Sequence, residues 1–83
     1  MPTVAVVDGV KIIFYGKEHW PAHFHARLAE HNAVFDIVRL EMVQGTLPVA
    51  KKRKVIEWAH TRQGALLRAF GQAIAKVPVD PVE

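Results

Sequence analysis

The sequence predicts an α+β domain: an antiparallel sheet of four strands, or five if residues 40–43 form their own, with two C-terminal helices packed on one face. Three observations lead there. The first half carries β-branched and aromatic runs separated by turn signals. The apolar spacing of the second half changes to the period of an amphipathic helix. Gly45 and Pro48 punctuate the change between the two.

Residues 3–7 and 10–15 flank Asp8-Gly9, a two-residue turn signal that makes the opening a hairpin. Its register would set Val7 against Val10, Ala5 against Ile12 and Val4 against Ile13, so both faces are apolar and at least one should be covered. Residues 16–22 read as a loop, because Pro21 cannot serve a central strand and holds Trp20 extended. Residues 23–30 then alternate, with Phe24, Ala26 and Leu28 on one face and His23, His25 and Arg27 on the other. A second turn at His31-Asn32 would pair Leu28 with Phe35 and Ala26 with Ile37 on the buried face. On the opposite face the same register pairs Arg27 with Asp36 and His25 with Val38.

After Gly45, Pro48 suits the first turn of a helix, with Thr46 or Leu47 before it as the cap. Val55, Ile56, Trp58, Ala59, Leu66, Leu67, Ala69, Phe70, Ala73 and Ile74 fall on one half of a helical wheel. A straight helix over the whole stripe would be roughly 40 Å long, more than so small a domain accommodates. A break or kink in residues 61–64 is therefore expected, with one unbroken helix as the alternative, and with Trp58 and Phe70 in the core. One domain over residues 1–76 and a mobile tail over 77–83, with prolines at 78 and 81, complete the organisation.

Composition narrows the function classes. A chain of 83 residues has room for one core. The absence of cysteine excludes disulfides, thiol nucleophiles and thiolate metal sites, and points to the cytoplasm. The apolar opening is too short and lacks the basic flank of a signal peptide, and nothing approaches a membrane span. Charge is uneven. Residues 1–45 hold four Lys/Arg against five acids, net −1, whereas residues 46–83 hold seven against three, net +4. The excess concentrates in Lys51, Lys52, Arg53 and Lys54, a candidate contact for nucleic acid or an acidic partner. A helix N-terminus favours anions, so this cluster does not serve the helix itself. Tyr15 and Trp20, near the histidine-bearing loop of residues 16–22, are candidate exposed aromatics for stacking on a ligand ring or base, and Trp20 joins the basic cluster as a candidate nucleic-acid or partner contact.

The densest chemistry lies in residues 18–25, Glu-His-Trp-Pro-Ala-His-Phe-His. His23 and His25 share a strand face, and His19 can reach them across the Pro21 turn. Three readings stand side by side. As ligands, His19, His23 and His25 would hold a divalent transition metal, with Glu18 or Asp36 adding an oxygen. As catalysts, the same histidines would be base and acid in RNA phosphodiester cleavage, with Arg27 or Lys17 stabilising the phosphorane. As structural groups, they would cap the loop and occupy a strand face.

The opening Met-Pro-Thr, the His19-x-Pro21-x-His23-Phe24-His25 core, Ala33-Val34, Gly45-x-Leu47-Pro48 and Glu57-Trp58-Ala59 together resemble a family of small bacterial proteins catalogued as a domain of unknown function. The likeness covers residues 1–74. It departs from the family pattern at Trp20-Pro21-Ala22, where Asn-Pro-Pro is usual, and at Glu18, where Asp is common. The resemblance implies one component of a two-protein module of toxin–antitoxin kind. The first functional expectation is therefore a cytoplasmic binding or regulatory protein whose partner is another small protein, nucleic acid or a second copy of the chain. A histidine-based metalloprotein or ribonuclease is the alternative.

Overall fold

The computed structural model describes residues 3–82. Met1 and Pro2 of the opening motif, and Glu83 of the tail, lie outside them. The chain runs β1 (Thr3–Val7), β2 (Val10–Ile13), β3 (His23–Leu28), β4 (His31–Asp36), β5 (Glu41–Gly45), α1 (Val49–His60) and α2 (Gln63–Ile74). The five strands form one antiparallel meander in the order β1-β2-β3-β4-β5. Residues 40–43 thus contribute to a strand of their own. The fold is α+β, with the two helices C-terminal to the sheet.

Asp8 and Gly9 both take positive φ, 51° and 83°, as a two-residue hairpin turn demands. Val7 pairs with Val10 and Ala5 with Ile12, but Ile13 faces Thr3, because Val4 is the extra residue of a bulge. The second hairpin corrects the sequence reading further. Its turn is Ala29-Glu30, with Ala29 at φ 52°, so Leu28 pairs with His31, Phe24 with Phe35, His25 with Val34 and Arg27 with Asn32. Asp36 faces His23, where the sequence had set it against Arg27. The slide is four residues, an even number, so each side chain keeps its face.

Phe24 stacks on Phe35 at 5.2 Å between centroids, and Trp58 of α1 meets Phe24 edge-on at 6.3 Å. Phe14 meets Phe70 of α2 at 6.3 Å. With Ile12, Ala26, Ala33, Val55, Leu66 and Ala69, these rings fill the layer between sheet and helices. The helical stripe is interrupted at Thr61 and Arg62, inside the expected break. Arg62 lies over the Trp58 ring and donates to the Trp58 carbonyl at 3.0 Å, closing α1 while its own carbonyl opens α2. Leu67, placed on the stripe by the wheel, is exposed, and Trp58 is half-buried. Helix α1 starts one residue late: Pro48 is its cap and offers no side-chain acceptor. Beyond α2, Gln72 and Asp80 exchange two hydrogen bonds, and the buried Val82 donates its N–H to the Val4 carbonyl at 2.9 Å.

Candidate metal centre

The helices cover the Phe24 side of the sheet, and the other side carries the chemistry. On β3, His23, His25 and Arg27 alternate with buried Phe24 and Ala26, so packing of the apolar set forces the polar set outward. The loop after β2 brings Glu18 back over this face. Its end is tied by the Ile37 N–H donating to the Ala22 carbonyl at 3.1 Å, which extends the β3–β4 ladder to the Pro21 turn. The Trp20–Pro21 peptide bond is cis.

Glu18 is the hub. One carboxylate oxygen takes the Nε2 of His25 at 2.8 Å, and the other takes the Nε2 of His23. The three side chains are largely withdrawn from solvent: Glu18 is 9% exposed, His23 19% and His25 26%. One ligand atom from each lies within 4.8 Å of the other two. His23 is held at both nitrogens, because its Nδ1 stands 2.8 Å from the Pro21 carbonyl. A carbonyl only accepts, so Nδ1 carries a proton and donates it there. The Nε2 is then the ring's acceptor nitrogen, the one available to a proton or a metal ion, and it faces a carboxylate oxygen. Fixing the imidazole tautomer through a backbone carbonyl is the usual support of a metal-ligating histidine. Tyr15 packs edge-on against His25 at 4.6 Å and limits how that ring can turn.

A cavity of about 340 Å³ opens over the cluster, lined by His19, Trp20, Pro21, His23, His25, Val34, Asp36, Val43 and Gln44. Strand β5 reaches it through a bulge. Val34 pairs with Gln44 and Phe35 with Met42, so Val43 is the extra residue and both Val43 and Gln44 line the cavity. Asp36 contributes to the wall while its carboxylate accepts the Arg39 N–H at 2.8 Å in the β4–β5 turn. Neither the bulge nor the Pro21 carbonyl announces itself in sequence, since both depend on which strands become neighbours.

The structure gathers Glu18, His23 and His25. His19 and Trp20 are exposed on the cavity rim, and Asp36 is outside the three-residue cluster. Arg27 lines an adjoining groove, and Lys17 faces a different cavity with Ala73 and Lys76. The basic cluster is remote from the histidines in sequence and divided in role. Lys51 bonds the carbonyl and carboxylate of Asp8 at 2.8 and 3.1 Å, pinning α1 to the first hairpin, whereas Arg53 and Lys54 are exposed.

The histidine segment falls within a match to a known family. A family model described as a domain of unknown function, DUF4160, fits residues 9–70. The chain belongs to the DUF4160 family. The match takes in Glu18, His23, His25, Arg27 and the basic turn, and stops before the last turn of α2. No curated protein and no solved structure matches the chain. No helix among the described residues is long and apolar enough to cross a membrane.

Proposed function

We propose that this DUF4160 protein binds one divalent transition metal ion through Glu18, His23 and His25. The observation that carries the reading is His23, donating from Nδ1 to the Pro21 carbonyl while its Nε2 and that of His25 converge on one carboxylate. Two imidazoles and a carboxylate are the donor set of open catalytic zinc sites and of non-haem iron(II) centres, and both keep positions free for a further ligand. Bonds of about 2.0–2.1 Å put neighbouring ligand atoms roughly 3 Å apart, close to the 2.8 Å between His25 and Glu18. The metal-free ribonuclease reading is less well supported, because both imidazoles are directed at Glu18 instead of flanking a space for phosphate.

Elemental analysis of the untagged chain after dialysis against zinc tests the proposal. One equivalent is expected in the wild type and in His19→Ala, and much less than one in His25→Ala and Glu18→Gln. Failure of the wild type to retain zinc, or retention unchanged in both of those ligand variants, would overturn it; loss in His19→Ala would add His19 to the ligand set. Affinity should fall as pH is lowered, since protons compete for the Nε2 atoms.

A second reading concerns the α1 surface. Lys52, Arg53 and Lys54 have no carboxylate within ion-pair distance among the described residues, and Lys52 and Arg53 border a groove with the exposed Val49. That pattern supports contact with an acidic protein or nucleic acid, as in a toxin–antitoxin-like pair in the cytoplasm. Replacing Lys52, Arg53 and Lys54 with Gln should then weaken partner binding and flatten its salt dependence.

A further inference from the structure

The uncovered face of the sheet holds a pair of charges that the fold itself does not explain. Lys11 on β2 and Arg27 on β3 are register partners. Directly opposed residues of an antiparallel pair have Cβ atoms about 5 Å apart, and like charges there are destabilising. Among the described residues no carboxylate reaches either cation. Of the neighbouring acids, Glu18 is committed to the histidines, Asp36 to the Arg39 N–H, Glu41 to Arg39 and Asp8 to Lys51, while Glu30 in the turn after β3 is 83% exposed and stands 3.9 Å from His31.

Arg27 stands two residues from His25 on the same face of β3, a spacing of about 7 Å. The groove beside it, about 280 Å³, is lined by Tyr15, His25, Arg27, Asn32 and Gln44 among others, with no carboxylate. It shares His25, Val34 and Gln44 with the cavity over the metal cluster. The two cavities adjoin at these residues, and the trough they make extends from His23 and His25 to Arg27, with Lys11 opposite Arg27 in the register but outside the lining. Its walls offer a guanidinium, two carboxamides and a phenol, donors suited to an oxyanion. At the other end Trp20, 64% exposed, presents an aromatic surface on the rim.

Resting on the metal reading above, we infer that this trough binds a phosphate ester, whose phosphate lies between the ion held by Glu18, His23 and His25 and the Lys11–Arg27 pair. A divalent ion with one carboxylate and two neutral imidazoles keeps a net positive charge, and the two side-chain cations extend it. A phosphate group supplies several acceptor oxygens at once and can contact both a metal and a guanidinium. Trp20 lies where the organic part of the ester would stack.

The test uses the full chain loaded with zinc and titrated with adenosine monophosphate in a calorimeter. Binding is expected for the wild type. Arg27→Gln and Lys11→Gln should each weaken it by about tenfold or more, the size of a lost charge-assisted contact, while zinc content stays at one equivalent and the thermal midpoint is kept. The zinc-free wild type should also bind more weakly. Zinc-loaded protein that does not bind the nucleotide, or binds it equally well in both variants, overturns the inference and leaves the metal reading standing. A chain that retains no zinc fails at the earlier step, and the phosphate site falls with it. A single-stranded oligoribonucleotide distinguishes the source of the phosphate. Tighter, steeply salt-dependent binding would assign the trough to RNA, and affinity no greater than that of the mononucleotide would assign it to a small ester.

Discussion

The two faces of the β3–β4 hairpin obey opposite rules. On one, Phe24, Ala26, Ala33 and Phe35 are buried against α1 and α2, and every group is apolar. On the other, His23, His25, Arg27 and Asn32 stand in the same alternation, with a carboxylate drawn over two of them and, from the helices, the Phe70 ring of α2 5.3 Å from that of His23 at its end. The first face answers to volume, since its side chains touch on all sides and a missing methylene leaves a void. The second answers to charge and direction. Because the two sets are interleaved along one backbone, the packed face sets the positions from which the polar face works: Phe24 locks the stretch of chain that carries His23 and His25.

Separating the two roles yields four predictions, in falling order of effect. Phe35→Ala removes a fully buried ring stacked on Phe24 and should lower stability by about 3–5 kcal/mol, read from the denaturant midpoint. Gly45→Ala comes next. Gly45 sits at φ 83°, and an added Cβ would lie 2.0 Å from the Asn32 carbonyl oxygen. The left-handed backbone alone costs about 1–2 kcal/mol, and moving β5 off β4 should raise the loss to about 2–3 kcal/mol with the ladder bonds it weakens. Amide exchange in β5 should accelerate in step, and an unchanged midpoint would refute the clash. Third, zinc at ten times its dissociation constant should stabilise the wild type by about 1.4 kcal/mol, visible as a raised Tm, and His25→Ala should lose this response while folding normally. A His25→Ala protein that unfolds like Phe35→Ala would show that the polar face is structural after all. Smallest is Lys11→Gln: relief of the opposed charges should leave stability equal or slightly higher, within about 0.5 kcal/mol. A clear loss would mean that Lys11 has a partner in the fold.

What the sequence by itself determined is everything that depends on local period and turn chemistry. Alternation put Phe24 and His25 on opposite faces, Asp8-Gly9 placed the first hairpin, and the length of the apolar stripe required the break found at Thr61 and Arg62. The crowding of His19, His23 and His25 in seven residues beside Glu18 also marked the segment from which the candidate site is drawn, although His19 stays on the rim. Register was decided by the folded chain. A pleat of period two constrains which face a residue takes but is indifferent to a slide of two or four, so the choice fell to a turn at Ala29-Glu30. Alanine gives no signal for the positive φ that turn needs. The same indifference hid the bulge at Val43, the approach of Gln44 to the histidines, and the opposition of Lys11 to Arg27. Of the two candidate carboxylates, Glu18 and Asp36, the path of the loop selected Glu18, because a carboxylate's reach depends on where its backbone is anchored. Local sequence fixes faces and turns through energies within a few residues, whereas the Glu18–His23–His25 cluster depends on where a loop returns, and the groove beside Arg27 on cross-strand neighbours, which exist once the strands have chosen one another.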